Sequence, residues 1–554
     1  MADCDEIGGQ TTIGRAVTVV GFLLVSLLVQ GCAANLNFQV ADISKDVVTQ
    51  KISYESPDKT IKWDGAKVAF KGKVYGAGYD NERPAILFNF SDNVKVNDKN
   101  MLFYDYGENK VLWSAKTNST HFFSGNGAVV VEGYNKLNIH SYLDGSYVRK
   151  AEPGTNLVDG KTIVLNNEMI ARIDLLSGNV LWRPKWLPKG TSETGETRTD
   201  YRPGNSIREE YRYGDWLYIV NDWMYSFDVE NGIAWNRKLS TSHKGYAEAI
   251  AKEVAVAFLA ALAGRYSTYN APTKLYHNQN SAPVFEGDRM YIAARNKLCC
   301  YGRTTGELLW ESQLPRDYGG VSLSRAGNYL AVIGKGWKYI SLDYPGNGIT
   351  INKDEKPSIL LADPKTGEKI GYLEFEEEAV VNDIMWTSDK VVMLTPTRLY
   401  FLSYDLVITD VREVTEAEGN FLRFLRFKDD EMIIRTSKGL IALDPASMKF
   451  LWGKELGSAP GADANTKYGG WTEGARWVMD HNIERNHSYV SDSLVWLSTD
   501  SGRLMGIDLD ARGKVAIEIE LGTKDFSFES HGIIGRGDGY LLILPFKNLA
   551  YMKN

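Results

Sequence analysis

The chain has 554 residues, 44% hydrophobic, 24% charged and 12% aromatic, enough apolar material for a large core and unlike a disordered or collagen-like polymer. Its 63 Lys and Arg stand against 70 Asp and Glu, a formal charge of −7, so the basic field needed to neutralise nucleic-acid phosphates is missing and no nucleic-acid partner is expected. Length alone suggests about three or four domains of roughly 150 residues, a prior that gives way where a chain is built of repeats.

Residues 17–29 form an apolar run after Arg15, of signal-peptide length and shorter than the roughly 20 residues that span a bilayer. The run ends in Val29-Gln30-Gly31-Cys32, which resembles a bacterial lipobox. The resemblance implies that residues 1–31 are removed, that Cys32 becomes a lipidated N-terminus and that 32–65 form a tether. Each buried CH₂ of an acyl chain would contribute about 0.8 kcal/mol to holding the protein on a membrane. An uncleaved anchor helix is the alternative, and both place the rest of the chain outside the cytoplasm. Ala33 and Ala34 follow the cysteine; where an aspartate would favour the inner membrane, they imply the outer membrane facing the periplasm, with surface exposure left open. Cys4 lies in the expected signal, so only the neighbours Cys299 and Cys300 remain in the mature body. No long-range disulfide is expected, and stability must come from core size.

From about residue 66 onward one pattern recurs: apolar residues, an Asp, a short turn, a Gly, then apolar residues ending in Trp. The copies run from Asp105 to Trp113, from Asp174 through Gly178 to Trp182, from Asp228 to Trp235, from Gly302 through Gly306 to Trp310, and from Asp444 to Trp452. The interval is 8 residues in each copy but the third, where it is 7. Weaker copies lie at Asp363 and Gly367, where Gly371 takes the Trp position, and at Asp508, with looser ones near Asp144 and Asp405. Each copy predicts a β-hairpin: alternation makes the strands, the Asp side chain caps the turn and Gly takes positive φ. A second turn signature stands upstream of several copies, at Asp159-Gly160, Gly214-Asp215 and Gly287-Asp288. Together they predict four-stranded antiparallel units that bury their faces by stacking radially, each Trp filling the space between neighbours.

The Asp, Gly and Trp spacing resembles the pyrroloquinoline quinone (PQQ)-like β-propeller repeat, whose hallmark is Ala-x-Asp-x-x-Thr-Gly-x-x-x-Trp. The resemblance covers about residues 66–551 and implies an all-β propeller over 66–554, with about eight blades and seven or nine open. Pairing of an N-terminal strand around Val68 to Val74 with the last blade would remove the exposed edges. Residues 246–264 are rich in helix formers and predict one inserted helix, either packed on the propeller or serving as a docking element. Segments 186–210 and 453–485 read as long loops, where binding usually resides.

Quinoprotein dehydrogenases share this repeat, and adjacent cysteines invite the comparison. Cys299 and Cys300 lie within an expected strand, however, where alternation points their side chains to opposite faces. The seven histidines, at 121, 140, 243, 277, 481, 487 and 531, show no familiar metal spacing. Arg536-Gly537-Asp538 reads as a plain turn. No catalytic, cofactor-binding or metal-binding residue is singled out, and no cofactor is expected. Lipobox plus PQQ-like repeats is similar to the BamB family of outer-membrane assembly lipoproteins. The expected function is a non-catalytic, membrane-anchored scaffold for an envelope protein partner, with the β-barrel assembly machinery as the named candidate. The alternatives are a PQQ-dependent oxidoreductase and a glycan- or peptide-binding surface propeller.

Overall fold

The computed structural model describes strands and connecting turns between residues 38 and 553; residues 1–37, 188–208, 240–273, 457–487 and 521–532, with shorter stretches between strands, lie outside the described residues. Cys32, the expected helix at 246–264, most of both long loops and the Arg536–Asp538 turn are among those outside. Every regular element that is described is a β-strand, and no described helix is long and apolar enough to cross a membrane.

The chain forms two compact units. The first, from 74–155 with the N-terminal segment and Leu175–Ser177, holds two antiparallel sheets. Sheet 1 (73–117) has four consecutive strands, with Phe38–Val40 added beside Lys110–Thr117; sheet 2 (121–151) has four. The second unit, from 47–73, 156–174 and 178–554, carries eight sheets of four or five strands among the described residues. In chain order these are sheet 3 (156–182), sheet 4 (209–238), sheet 5 (284–313), sheet 6 (321–374), sheet 7 (383–413), sheet 8 (421–455), sheet 9 (488–520) and sheet 10 (533–553). A three-stranded sheet joins Lys274–Tyr276 to Ile340–Asp343 and Gly348–Ile351, the last two inserted within sheet 6. The fold is all-β and propeller-like.

Sheet 10 is completed from the other end of the sequence: Lys62–Phe70 pairs antiparallel with Asn548–Lys553, Val68 opposite Leu549, and Val47–Glu55 adds a fifth strand outside it. The joining strand therefore begins earlier than the expected Val68 to Val74, and Val74 belongs instead to Lys73–Tyr79 in sheet 1.

Why the sheets stack is visible in their burial. Inner strands such as Trp216–Val220, Trp223–Asp228, Pro357–Ala362 and Gly439–Leu443 are buried at every position. Such strands are apolar on both faces and read as continuous runs, as in sheets covered on both sides. The expected period of two survives only in outer strands such as Leu308–Gln313. Alternation instead divides each sheet between two cores. In sheet 5, Met290, Ile292, Cys299 and Tyr301 pack against Trp216, Tyr218 and Trp235 of sheet 4, whereas Tyr291, Ala293, Leu298 and Cys300 pack against Val321, Leu330 and Leu360 of sheet 6. Equivalent cores join sheet 6 to 7, 7 to 8 and 8 to 9.

Candidate functional site

The repeat hairpin is built as its residue types demand. Asp228 Oδ1 accepts from the backbone N–H of Glu230 and Asn231, both at 2.9 Å. Asp363 does the same for Lys365 and Thr366, Asp444 for Ala446 and Ser447, Asp508 for Ala511, and Asp105 for Glu108. The N–H groups of Ser447 and Ala446 hold the Asp444 carboxyl below the usual carboxylate range. Four residues after the Asp position, the chain turns with positive φ at Gly178, Gly232, Gly306 and Gly367. At Asn109 and Met448 the same place is held by L-residues at φ 55°.

The Trp intervals acquire a physical meaning from strand register. In the 8-residue copies a β-bulge immediately precedes the Trp, so that Trp113 still faces Phe103, Trp182 faces Arg172, Trp310 faces Cys300 and Trp452 faces Ala442. In the 7-residue copy the ladder is regular and Trp235 faces Ser226. Every Trp therefore stands opposite the residue two before the Asp position; the bulge absorbs the extra residue.

Each Trp ring then lies on the turn glycine of the following sheet. A Cβ built on Gly145 would stand 3.0 Å from Trp113 Cδ2, on Gly232 2.8 Å from Trp182 Cδ2, on Gly306 2.6 Å from Trp235 Cε3, on Gly367 2.5 Å from Trp310 Cε3, and on Gly513 2.7 Å from Trp452 Cζ3. The indole N–H fixes the ring: Nε1 of Trp113, Trp182, Trp235 and Trp310 donates to the carbonyls of Tyr142, Val229, Arg303 and Pro364, at 3.0 to 3.2 Å. In each acceptor turn that carbonyl follows the Asp position directly; in the turn of sheet 2 that position is held by Ser141, three residues before the expected Asp144. Trp452 departs from the rule and donates to Glu431 Oε1 at 2.8 Å. Arg426 there bridges Glu431 Oε2 (2.6 Å) and Asp510 Oδ1 (2.7 Å), so an ion-pair network ties sheet 8 to sheet 9.

Two substitutions of this device escape a reading of spacing alone. Arg149, four residues after Gly145, takes the Trp place, and its Nε donates to the carbonyl of Leu175 at 2.9 Å. Between sheets 6 and 7 the sizes are exchanged: Gly371 stands where Trp is expected, and Leu406 stands at the glycine place with φ 59°, buried, its Cδ1 3.3 Å from a Cβ built on Gly371. The bulk lost on one side of the joint is supplied from the other.

Among the described strands, the fourth strands of sheets 3, 5, 6, 7, 8 and 9 end their sheets. Along several of them apolar side chains are exposed just where the repeat approaches its Trp position: Val180 and Leu181, Leu309, Ile370, Ile408 with Val411, and Phe450 with Leu451. Edges that carry a further strand differ. Lys185–Trp186 lies parallel to Ile233 and Ala234 on the edge of sheet 4, where Trp186 packs edge-on against Phe227, and Ala234, Trp235, Asn236 and Arg237 are buried. Phe38–Val40 covers the edge of sheet 1, where Trp113, Ser114 and Ala115 are buried. An open strand edge with apolar flanks is a template for a further strand.

Cys299 and Cys300 enter different cores, as their strand position predicts, and both are free thiols. Burial pushes the Cys299 thiol up to about 12 and the Cys300 thiol up to about 11. His140 is buried with Nδ1 3.0 Å from the Gly145 carbonyl, and burial lowers its pKa. Among the described residues no three His, Cys, Asp or Glu side chains are grouped to hold a metal.

Residues 166–333 match a family model described as "Outer membrane protein assembly factor BamB"; that stretch contains the Trp182, Trp235 and Trp310 copies. Over that stretch the chain is similar to the PQQ-like repeats of the BamB family. Among solved structures it is similar to the computationally designed protein Ika8 (10% identity over 78% of this chain and 95% of that one, TM-score 0.38), BamB from Moraxella catarrhalis (10%, 74% and 97%, 0.32) and Sqt1 from Saccharomyces cerevisiae (8%, 70% and 87%, 0.29). Among curated proteins nothing matches the chain.

Proposed function

We propose that the protein is a non-catalytic scaffold, lipid-anchored through Cys32 on the periplasmic side of the bacterial outer membrane, whose open sheet edges hold extended segments of envelope proteins. The β-barrel assembly machinery and its clients are the partners this reading names first. One observation carries it: apolar side chains are exposed along open edges, whereas the edges of sheets 1 and 4 are covered by strands of the chain itself. A main-chain ladder supplies affinity to any extended partner, and the flanking apolar residues select alternating apolar sequences. The family match over 166–333 supports an assembly role.

The test uses Val407 and Val411 of sheet 7, which are 60% and 42% exposed, so their replacement leaves the core intact. Val407→Lys with Val411→Lys places charge on the edge, the device by which proteins block strand addition. Loss of copurifying barrel-assembly subunits, with an unchanged thermal melt, is expected; undiminished recovery, or recovery of no such subunit by the parent protein, would overturn the reading. Dye reduction by protein loaded with PQQ and calcium would overturn its non-catalytic part.

A further inference from the structure

The first unit carries a short physical path from the expected lipid site to an exposed apolar hairpin. Only five residues lie between Cys32 and Phe38, a reach of about 20 Å even when fully extended. Phe38–Val40 is then fixed to the outer strand of sheet 1, with Phe38 opposite Thr117 and Val40 opposite Ala115. Two residues further along that strand, Trp113 seats its ring on Gly145 and donates from Nε1 to the Tyr142 carbonyl at 3.0 Å. The strand that receives the tether therefore also grips the turn of the hairpin joining Lys136–Ser141 to Tyr147–Ala151 in sheet 2.

That hairpin is unusually apolar on its outside. Leu143 is 75% exposed and Tyr147 59%, the two highest exposures among the described large apolar residues of this unit. Val148 is exposed beside them, as are Asp144, Ser146 and Lys150 of the same hairpin. Leu143 belongs to no described core, and its backbone N–H is already held by Ser141 Oγ at 3.2 Å, so the turn presents the side chain without needing it for the fold. Tyrosine and leucine with a lysine at the end of the same hairpin suit the headgroup boundary of a bilayer, where an aromatic ring sits with its hydroxyl wet and a lysine stem reaches anionic phosphates.

We propose that the hairpin 141–150 rests on the bilayer that carries the Cys32 acyl chains and sets the orientation of this unit on the membrane. The inference rests on the anchoring stated above. Its occupant is a lipid surface, chosen because the tether ends within about 20 Å of the strand gripping the hairpin, too short to carry that strand far from the bilayer. Acyl chains hold the protein at the membrane; the hairpin fixes which side faces it.

The experiment takes the full-length protein, with acylation of Cys32 established by mass spectrometry, bearing an environment-sensitive fluorophore at Leu143→Cys. It is placed on vesicles of phosphatidylethanolamine and phosphatidylglycerol. A blue-shifted emission is expected, with quenching by a nitroxide-bearing lipid headgroup and shielding from aqueous iodide. Emission unchanged from that in detergent-free buffer, with full access to iodide on protein shown to be acylated, would overturn the hairpin's role while leaving the anchor standing. Absence of acyl chains on Cys32 would overturn the anchor, and the orientation with it. Shielding that appears only when a partner protein is added would assign the hairpin to that protein and overturn the lipid surface.

Discussion

Replacing Gly306 by alanine isolates the contact that joins one sheet to the next. Gly306 and Gly287 both belong to turns of sheet 5, at φ 65° and 56°, so an L-residue at either is disfavoured by about 1 to 2 kcal/mol. Their surroundings differ. A Cβ on Gly287 meets nothing within 4 Å, whereas one on Gly306 would stand 2.6 Å from Trp235 Cε3 and 2.8 Å from its Cγ. The indole is fully buried and tied to the Arg303 carbonyl, so it cannot swing away without losing that bond. Forcing a methyl into such packing costs about a further 1 to 3 kcal/mol. Gly306→Ala is therefore expected to lower the urea midpoint clearly more than Gly287→Ala, at unchanged m. Trp235→Ala alone should cost about 3 to 5 kcal/mol. In that background the extra penalty of Gly306→Ala should vanish, leaving a coupling of about 1 to 3 kcal/mol between the two sites. Equal effects of the two alanines, or strict additivity with Trp235→Ala, would refute the idea that the ring on the glycine welds the sheets.

The exchanged joint between sheets 6 and 7 predicts a rescue. Leu406→Gly should destabilise by about 2 to 4 kcal/mol through the void it leaves, less the strain relieved at φ 59°, and Gly371→Trp should destabilise by about 1 to 3 kcal/mol through overpacking. Combining them restores the arrangement seen at Gly306 and Trp235, so the double variant should melt above either single one; a sum of the two losses would contradict the exchange. The cysteines predict a pH response. Their folded values, about 12 and 11, lie above the ordinary thiol value of 9.0, so the stability they contribute is full below pH 9 and declines as pH rises toward those values. Cys299→Ser with Cys300→Ala should flatten the fall in stability between pH 9 and 11, and native protein at pH 8 should resist alkylation by iodoacetamide; rapid native labelling would contradict their burial.

What could be read from sequence here was the chemistry that is local. An Asp cap, a positive-φ glycine and a Trp eight residues on are set by one hairpin, so the spacing alone marks Asp174, Gly178 and Trp182, or Asp228 and Trp235, as the same object. The completion of the last sheet by an N-terminal strand also follows from the need to cover an edge, although its position was offset from the expected one. Three things were not legible. Central strands such as Trp216–Val220 are buried on both faces, so their composition carries no period of two. Leu406 and Met448 hold left-handed turn positions that composition assigns to glycine, and only the size of Gly371 across the joint explains the first. The covering strands Phe38–Val40 and Lys185–Trp186 have three and two residues, too few for any pattern, yet they decide which edges stay open. The candidate interaction edges are therefore a property of pairing, visible once the strands are placed.

The most direct test of the whole account is a photocrosslinker installed in living cells at Val411, on the open edge of sheet 7, and at Ile233, on the edge of sheet 4 that the chain's own Lys185–Trp186 strand covers. The account predicts that position 411 captures a barrel-assembly subunit or an outer-membrane protein in transit and that position 233 captures neither. Equal capture from both positions, or capture of neither class from 411, would contradict it.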